Sequence, residues 1–302
     1  MYDNIKIGIL GGDLRQSVLA VRLSEIGFEV AVWGCGRNSD LGKAVRCSDM
    51  ECAIRGADAI VLPLPVSRDG VTLNAPLYRG DAPRLSEILE LAEADTVLLG
   101  GKIDRALTEK ATKRQLSVID YFECEELQIK NAVPTAEGAV AIALDELPIT
   151  IFGSRCAVVG YGRVGKATAR LLGVMGARVT VAARSGEQLA YAEVNGYNTL
   201  NMKKTQENPE PLCALAKCDV IFNTVPYVVF TKEVLASLRP DTLIIDLAGD
   251  DGGVDRGAAQ SLGIKTIWAL SLPGKVAPFT AAGIICDCVL ELLRERGVIK
   301  PK

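Results

Sequence analysis

Residues Cys156 to Ser185 read CAVVGYGRVGKATARLLGVMGARVTVAARS, and this stretch decides the fold. Cys156-Ala157-Val158-Val159 makes a short apolar strand that breaks at Gly160-Tyr161-Gly162-Arg163-Val164-Gly165. The spacing then predicts an amphipathic helix from Arg163 to about Met175, stopped by Gly176, and a β-branched strand from Val179 to Val181. A Gly-x-Gly-x-x-Gly turn between a strand and a helix, with a second strand following, is the context of a dinucleotide-binding unit. Gly160 allows the tight turn, Gly162 lets the backbone approach a pyrophosphate, and Gly165 lets helix and strand pack closely. The helix N-terminus adds free N–H groups and the positive end of its dipole. The bland alternative is a doubly wound domain whose Gly-rich turn holds nothing.

The end of the second strand speaks to the choice of dinucleotide. NAD-binding units usually place an acid about 20 residues on, bonded to the ribose 2′-hydroxyl. Here the strand runs out as Ala182-Ala183-Arg184-Ser185, without one. Arg184 can pair with a 2′-phosphate bidentately and Ser185 can donate to it, so NADP is expected over NAD. Otherwise Arg184 is a solvated strand-end charge.

Composition excludes several classes. A chain of 302 residues that is 49% apolar suits two domains with buried parallel sheets. A net charge of −3 gives no reason to expect nucleic acid or an anionic membrane as partner. No run approaches the roughly 18 apolar residues of a membrane span. Met1-Tyr2-Asp3-Asn4 leads straight into a strand, so no signal peptide is expected. The nine cysteines are scattered without metal-type spacing, which suits a reduced, cytoplasmic chain and no metal. Cys286 and Cys288, the closest pair, read as packing. Histidine is absent altogether. That removes the usual acid–base group of hydroxy-acid dehydrogenases and any Ser-His-Asp triad.

The first half also alternates strands and helices. Strands are expected at Ile5–Leu10, Phe28–Trp33, Ala57–Leu62, Thr96–Leu99 and Leu116–Tyr121, with helices at Leu14–Ile26, Met50–Arg55, Pro83–Ala94 and Asp104–Arg114. Such repeats mean a parallel sheet covered on both faces, with ligands at the carboxyl ends of its strands. The first turn, Gly8 to Gln16, departs from the dinucleotide fingerprint because Asp13 would oppose a pyrophosphate. It is read as a substrate turn in which Arg15 offers a fork to a carboxylate, with Asp13 a helix cap, a functional acid or both. Ser67 and Arg68, after Leu62-Pro63-Leu64-Pro65-Val66, can hold an acidic substrate. Lys102 is a carboxylate partner or a solvated lysine.

Pro134 is a good first residue of a helix running to about Leu147, which would bridge two domains with Thr135 and Glu137 at the cleft. Glu137 could equally be an acid favoured by the helix dipole. Later strands at Asp219–Asn223, Thr242–Asp246 and Lys265–Leu270 follow. The ends Asn223-Thr224-Val225-Pro226 and Leu247-Ala248 should face the nicotinamide half of the cofactor. A buried helix from Val276 to about Arg296 should return to the first domain. The expected fold is α/β: two Rossmann-like, doubly wound parallel-sheet domains with a cleft between them. Residues 1–133, completed by 276–302, form a substrate domain; 134–150 form the bridge and 151–275 the NAD(P)-binding domain.

The turn GGDLRQ, the bridge NAVPTAEGA, the fingerprint VVGYGRVGK, the strand end NTVP and the tail IWALSLPGKVAP together resemble the A-subunit family of dipicolinate synthases from spore-forming bacteria. The similarity runs from Ile5 to about Leu293. One departure is Ala248-Gly249-Asp250-Asp251-Gly252-Gly253, where the family pattern has Ser and Pro-Gly-Gly. The resemblance implies synthesis of dipicolinic acid in the cytoplasm of a sporulating mother cell, on a branch of lysine synthesis. A hydroxylated tetrahydropyridine dicarboxylate would lose water and a hydride equivalent to NADP. It also implies a partner, the flavoprotein-like B subunit; a homo-oligomer is the general expectation for such proteins. Arg15, Ser67, Arg68 and Thr135 would hold the dianionic substrate, and Asp13, Glu137 or Lys275 would move the single proton. Two rivals remain: another NAD(P)-dependent hydroxy-acid or amino-acid dehydrogenase, and a non-catalytic NADP-binding regulatory subunit.

Overall fold

The computed structural model describes residues 2, 4–203, 210–249 and 252–300. Met1, Asp3, Asp250 and Asp251, all mentioned above, lie outside the described residues. The chain divides into two compact units, Met1–Asn131 with Ala277–Lys302, and Ala132–Val276.

The first unit runs β1 (Lys6–Leu10), α1 (Leu14–Ile26), β2 (Glu29–Trp33), β3 (Val45–Arg46), α2 (Met50–Ile54), β4 (Ala59–Val61), α3 (Leu85–Leu91), β5 (Val97–Gly100), α4 (Arg105–Lys113) and β6 (Ser117–Asp120). Its six strands order as β3-β2-β1-β4-β5-β6, and every pair is parallel. A strand's side-chain period of two sends alternate residues to opposite faces. Ile7, Ile9, Val61 and Leu99 therefore enter one core, while Leu10, Ile60, Leu62 and Leu98 enter the other. Burial on both faces explains why these strands are nearly continuous apolar runs. The chain's final helix, the eighteen-residue Pro278–Glu295, packs beside α1 and seals the first of these cores with Ile285, Val289 and Leu293. Each such side chain contributes roughly 1.5–3 kcal/mol by leaving water. Cys286 is buried in the same core, and the Cys288 thiol reaches the Tyr121 carbonyl at 3.7 Å.

Helix α5 (Glu125–Glu146) begins in the first unit and ends in the second. Here the structure corrects the sequence reading: Pro134 is internal, and the helix starts nine residues before it. Proline removes one helical hydrogen bond, but Leu127, Ala132, Ala136, Ala139 and Ala143 lie buried on both sides of it, and that packing carries the helix through. Glu125 and Glu126 in the first turn suit the dipole better than any start at Pro134.

The second unit continues with β7 (Arg155–Val159), α6 (Arg163–Val174), β8 (Arg178–Ala183), α7 (Gly186–Val194), β9 (Asn198–Asn201), α8 (Glu210–Cys213), β10 (Val220–Asn223), α9 (Lys232–Ser237), β11 (Leu243–Asp246), α10 (Arg256–Leu262), β12 (Thr266–Trp268) and α11 (Leu272–Val276); α12 is the final helix already described. The sheet orders as β12-β11-β10-β7-β8-β9, again all parallel. Counted within each unit, both sheets have the order 3-2-1-4-5-6, with the reversal beside the first strand. Both units are Rossmann-like.

Candidate functional site

The fingerprint turn sits at the carboxyl end of β7, where the strand order of the second unit reverses. Gly160 has φ +91, and a Cβ there would come within 3.1 Å of the Val225 side chain. A Cβ on Gly165 would collide with the Gly160 carbonyl oxygen. These two glycines are required by the protein's own packing. Gly162 is different. It is exposed, caps α6 without a side-chain hydrogen bond, and has nothing within 4 Å of where a Cβ would lie. The cap position of α6 thus borders open space, the surroundings a pyrophosphate needs at a helix N-terminus. Tyr161 is buried and Val164 half-buried, so both support the turn, whereas Arg163 is exposed. Lys166, one turn into α6, lies with its Nζ 5.9 Å from the Tyr161 ring centre and 5.4 Å from that of Tyr191.

Ala183 ends β8 in the core, and the next residue turns outward. The Arg184 guanidinium stacks 4.9 Å from the centre of the Tyr227 ring. Ser185 caps α7, and its hydroxyl has no hydrogen bond among the described residues, so it is left as a donor. Sequence reasoning missed Tyr227. Its signal was its place one residue beyond the strand end Thr224-Val225-Pro226, the edge that faces a bound ligand.

A buried polar knot fixes that edge. Asn223, fully buried, donates to the Asp246 carboxylate at 2.8 Å and to the Val225 carbonyl at 3.1 Å. The other carboxylate oxygen of Asp246 accepts from Gly253 N at 2.7 Å. Thr224 hydroxyl donates to the Val159 carbonyl at 3.0 Å, and Leu247 N donates to the Asn223 carbonyl at 2.8 Å. Trp268 Nε1 holds the Ala248 carbonyl at 2.9 Å, with the Arg256 guanidinium 3.6 Å from its ring centre. These hydrogen bonds tie Thr224, Val225 and Leu247 to the buried Asn223–Asp246 pair.

The other candidates divide between the units. Asp13, Arg15 and Ser67 belong to the first; Thr135, Glu137 and Lys275 belong to the second. Asp13 caps α1, accepting from Arg15 N, and also takes the Arg15 fork through Nε and Nη2, both at 2.8 Å. Arg15 Nη2 donates in addition to the Leu64 carbonyl at 2.7 Å. This corrects the expectation of an open fork: two of the three guanidinium nitrogens are committed, because a buried cation needs a partner at hand. Ser67 is committed as well. Its hydroxyl donates to Asp69 at 2.8 Å, and Asp69 accepts also from Thr72 and Val71, contacts that hold its carboxyl well below the usual range. Lys102 Nζ lies 5.7 Å from the Phe122 ring centre. Glu137 on α5 and Lys275 on α11 are exposed and have no hydrogen bond or ion pair among the described residues; Thr135 is half-buried. Gly138 on α5 fits against Leu272 and Val276, so α11 covers that turn of the helix. Among the described residues no group of three acids or thiols is placed to hold a metal ion. None of the helices formed by them is long and apolar enough to cross a membrane.

An open Gly-x-Gly-x-x-Gly turn on a doubly wound parallel sheet defines an NAD(P)-dependent, dehydrogenase-like protein. Residues 128–258 match the NAD-binding domain of D-isomer-specific 2-hydroxyacid dehydrogenases, and residues 6–122 match the N-terminal domain of the dipicolinate synthase A subunit. The chain is 31% identical to the dipicolinate synthase A subunit of Bacillus subtilis over 98% of both chains. The crystal structure of the A subunit from Bacillus halodurans superposes with a TM-score of 0.86 at 30% identity, covering 97% of this chain and 99% of that one. A transhydrogenase from Sinorhizobium meliloti shares the fold, with a TM-score of 0.70 at 15% identity over 99% of this chain and 94% of its own. The chain belongs to the A-subunit family of dipicolinate synthases.

Proposed function

We propose that this chain is the NADP-dependent oxidoreductase subunit of a dipicolinate synthase. The observation that carries the reading is the likeness to the family's A subunit over both units, combined with a fingerprint turn left open at Gly162. The preference for NADP rests on Arg184, which can hold a 2′-phosphate with its fork while its face stays on Tyr227, and on the free hydroxyl of Ser185. A strand end with no acid leaves nothing to repel that phosphate.

In the proposed reaction a hydroxylated tetrahydropyridine dicarboxylate loses water, one hydride and one proton to become an aromatic pyridine dicarboxylate. NADP supplies the hydride acceptor when bound. The chain's own residues then have to hold a dianion, orient its C–H bond and move one proton. The Asp13–Arg15 pair is internally neutralised, so in the first unit net positive charge for the dianion falls to Arg68, which is unpaired among the described residues. Arg15 orients the loop after β4 through Leu64, and Asp69 holds the Ser67 hydroxyl in the same loop. Both oxygens of Asp13 are occupied by Arg15, whereas Glu137 accepts nothing among the described residues. We assign the proton to Glu137 on that ground. Aromatisation supplies much of the driving force, which suits a chain without histidine. A B subunit is the expected partner.

The test follows NADPH by absorbance and dipicolinate by chromatography after the purified chain meets NADP and freshly generated precursor. Coupled appearance of both is the expected result. NADP binding without either product until a second subunit is added would make this chain a regulatory or incomplete half.

A further inference from the structure

The first unit carries a pocket that the proposed reaction does not use. It opens at the carboxyl ends of β2 and β3, has a volume of about 370 Å³, and lies among Trp33, Cys47, Tyr78 and the arginines Arg37, Arg46 and Arg79. Its floor is rigid. Gly11 N donates to the Trp33 carbonyl at 2.8 Å, and a Cβ on Gly34 would press within 3.1 Å of the Gly11 backbone. Trp33 and Tyr78 pack as a tilted pair with ring centres 4.6 Å apart.

The three arginines are not equivalent. Arg46 is structural: Nη1 donates to Cys35 Sγ at 2.9 Å and to the Gly36 carbonyl at 3.0 Å, and Nη2 donates to the Ser39 carbonyl at 2.9 Å. It thereby pins the very loop that presents Arg37. Arg79 is presented beside Tyr78, which Trp33 holds. Arg37 and Arg79 themselves have no hydrogen bond or ion pair among the described residues. Asp49, beside the lining residue Ser48, makes no ion pair with either of them among the described residues; it accepts from Ser48 Oγ and Cys52 N, both within 2.9 Å. Burial, with help from the neighbouring Cys52 thiol, pushes Cys47 up to about 12, so that thiol adds no negative charge.

We infer that this pocket binds a small flat-ring dianion, with the ring against Trp33 and Tyr78 and the anionic groups on Arg37 and Arg79. The chemistry is that of guanidinium forks facing carboxylate or phosphate, beside an aromatic surface. The volume suits a ligand of mononucleotide size or smaller. The position fits, since ligands of such sheets sit beyond the carboxyl ends of the strands. Two sources supply such a molecule: a nucleoside monophosphate, or an aromatic dicarboxylate such as the pyridine product.

Calorimetric titration of the full chain with AMP and, separately, with pyridine-2,6-dicarboxylate tests the inference. The protein used carries Gly162→Asp, so that the fingerprint turn cannot answer for the pocket. At least one ligand should bind, and Arg37→Ala with Arg79→Ala should weaken it roughly tenfold or more, the loss expected on removing charge-assisted bonds. Both arginines are exposed and unpartnered among the described residues, so an unchanged melting temperature confirms that the double variant is folded. Which ligand binds identifies the source. No binding of either, or equal binding to the double variant, overturns the inference. Neither result bears on the reaction assigned above, which is read out by turnover.

Discussion

Arg184 and Glu137 carry the most specific claims about single residues. Arg184 lies over Tyr227 and next to an uncommitted Ser185 hydroxyl. Arg184→Asp exchanges a phosphate fork for a repelling charge. Equilibrium binding should show NADP weakened roughly 10–100-fold, the range of one to two charge-assisted hydrogen bonds, with NAD little changed. Equal loss of both cofactors would remove the 2′-phosphate role. Glu137→Gln keeps shape and removes the base. Turnover should fall by roughly 10²-fold, typical of a lost general base, while NADP affinity stays within error. Unchanged turnover would move the proton to another group. These residues differ in how legible they were. The place of Arg184 just beyond β8 could be read because the apolar run of the strand stops there. The commitment of Arg15 to Asp13 and Leu64 could not, because the partner carbonyl lies 49 residues away on a loop whose path only the fold supplies.

The strand–turn–helix of β7 and α6 was legible almost whole, from the strand at Cys156 to the helix that begins at Arg163. Its glycines mark the turn, and the apolar periods of two and 3.6 fix the rest. Where the local signal was weak, the sequence reading failed. Pro134 looked like a helix start because proline favours that place, yet α5 runs through it on the strength of buried residues either side. The two-residue strand β3 has no apolar run to announce it, and Val45 and Arg46 are both exposed. The prediction at this scale concerns Gly165. A methyl there meets the Gly160 carbonyl, so Gly165→Ala must push α6 away from β7. Overpacking of this kind costs about 1–3 kcal/mol, which lowers Tm by roughly 2–4 °C per kcal/mol in a domain of this size. Thermal unfolding should show that loss together with weaker dinucleotide binding. A variant with unchanged Tm would mean that the packing at the turn is slack.

The whole chain repeats one plan twice, and repetition made the fold class readable from alternating strand and helix patterns alone. What holds each unit together at the opposite end of its sheet was invisible. In the second unit Asp219 joins Arg155 at 2.9 Å and Arg239 at 3.0 Å, and Arg239 also pairs with Asp241. Burial pushes the Asp219 carboxyl up, but the two guanidinium groups outweigh it and hold the group below its ordinary value of 3.8. A depressed carboxyl stabilises the fold above its unfolded pKa and loses that contribution as pH falls through the folded value. Asp219→Asn should therefore lower Tm at neutral pH, and the gap from the parent should close as pH falls below 3.8, where the parent carboxyl protonates too. A gap that stays constant down to strong acid would show that the pair contributes nothing.

The oxidoreductase reading rests on Gly162, the one glycine of the fingerprint that the protein's own packing does not require. The decisive measurement is a fluorescence titration of NADPH and NADH into the parent chain and into Gly162→Asp, alongside thermal unfolding of both. Asp is a good helix cap and meets no atom at this position, so the variant should unfold at the parent temperature or slightly above it. Its carboxylate would nevertheless occupy the pyrophosphate's place. The account predicts that the parent binds NADPH more tightly than NADH and that the variant binds neither. A parent that binds neither nucleotide, or a folded variant that binds NADPH as the parent does, would contradict it.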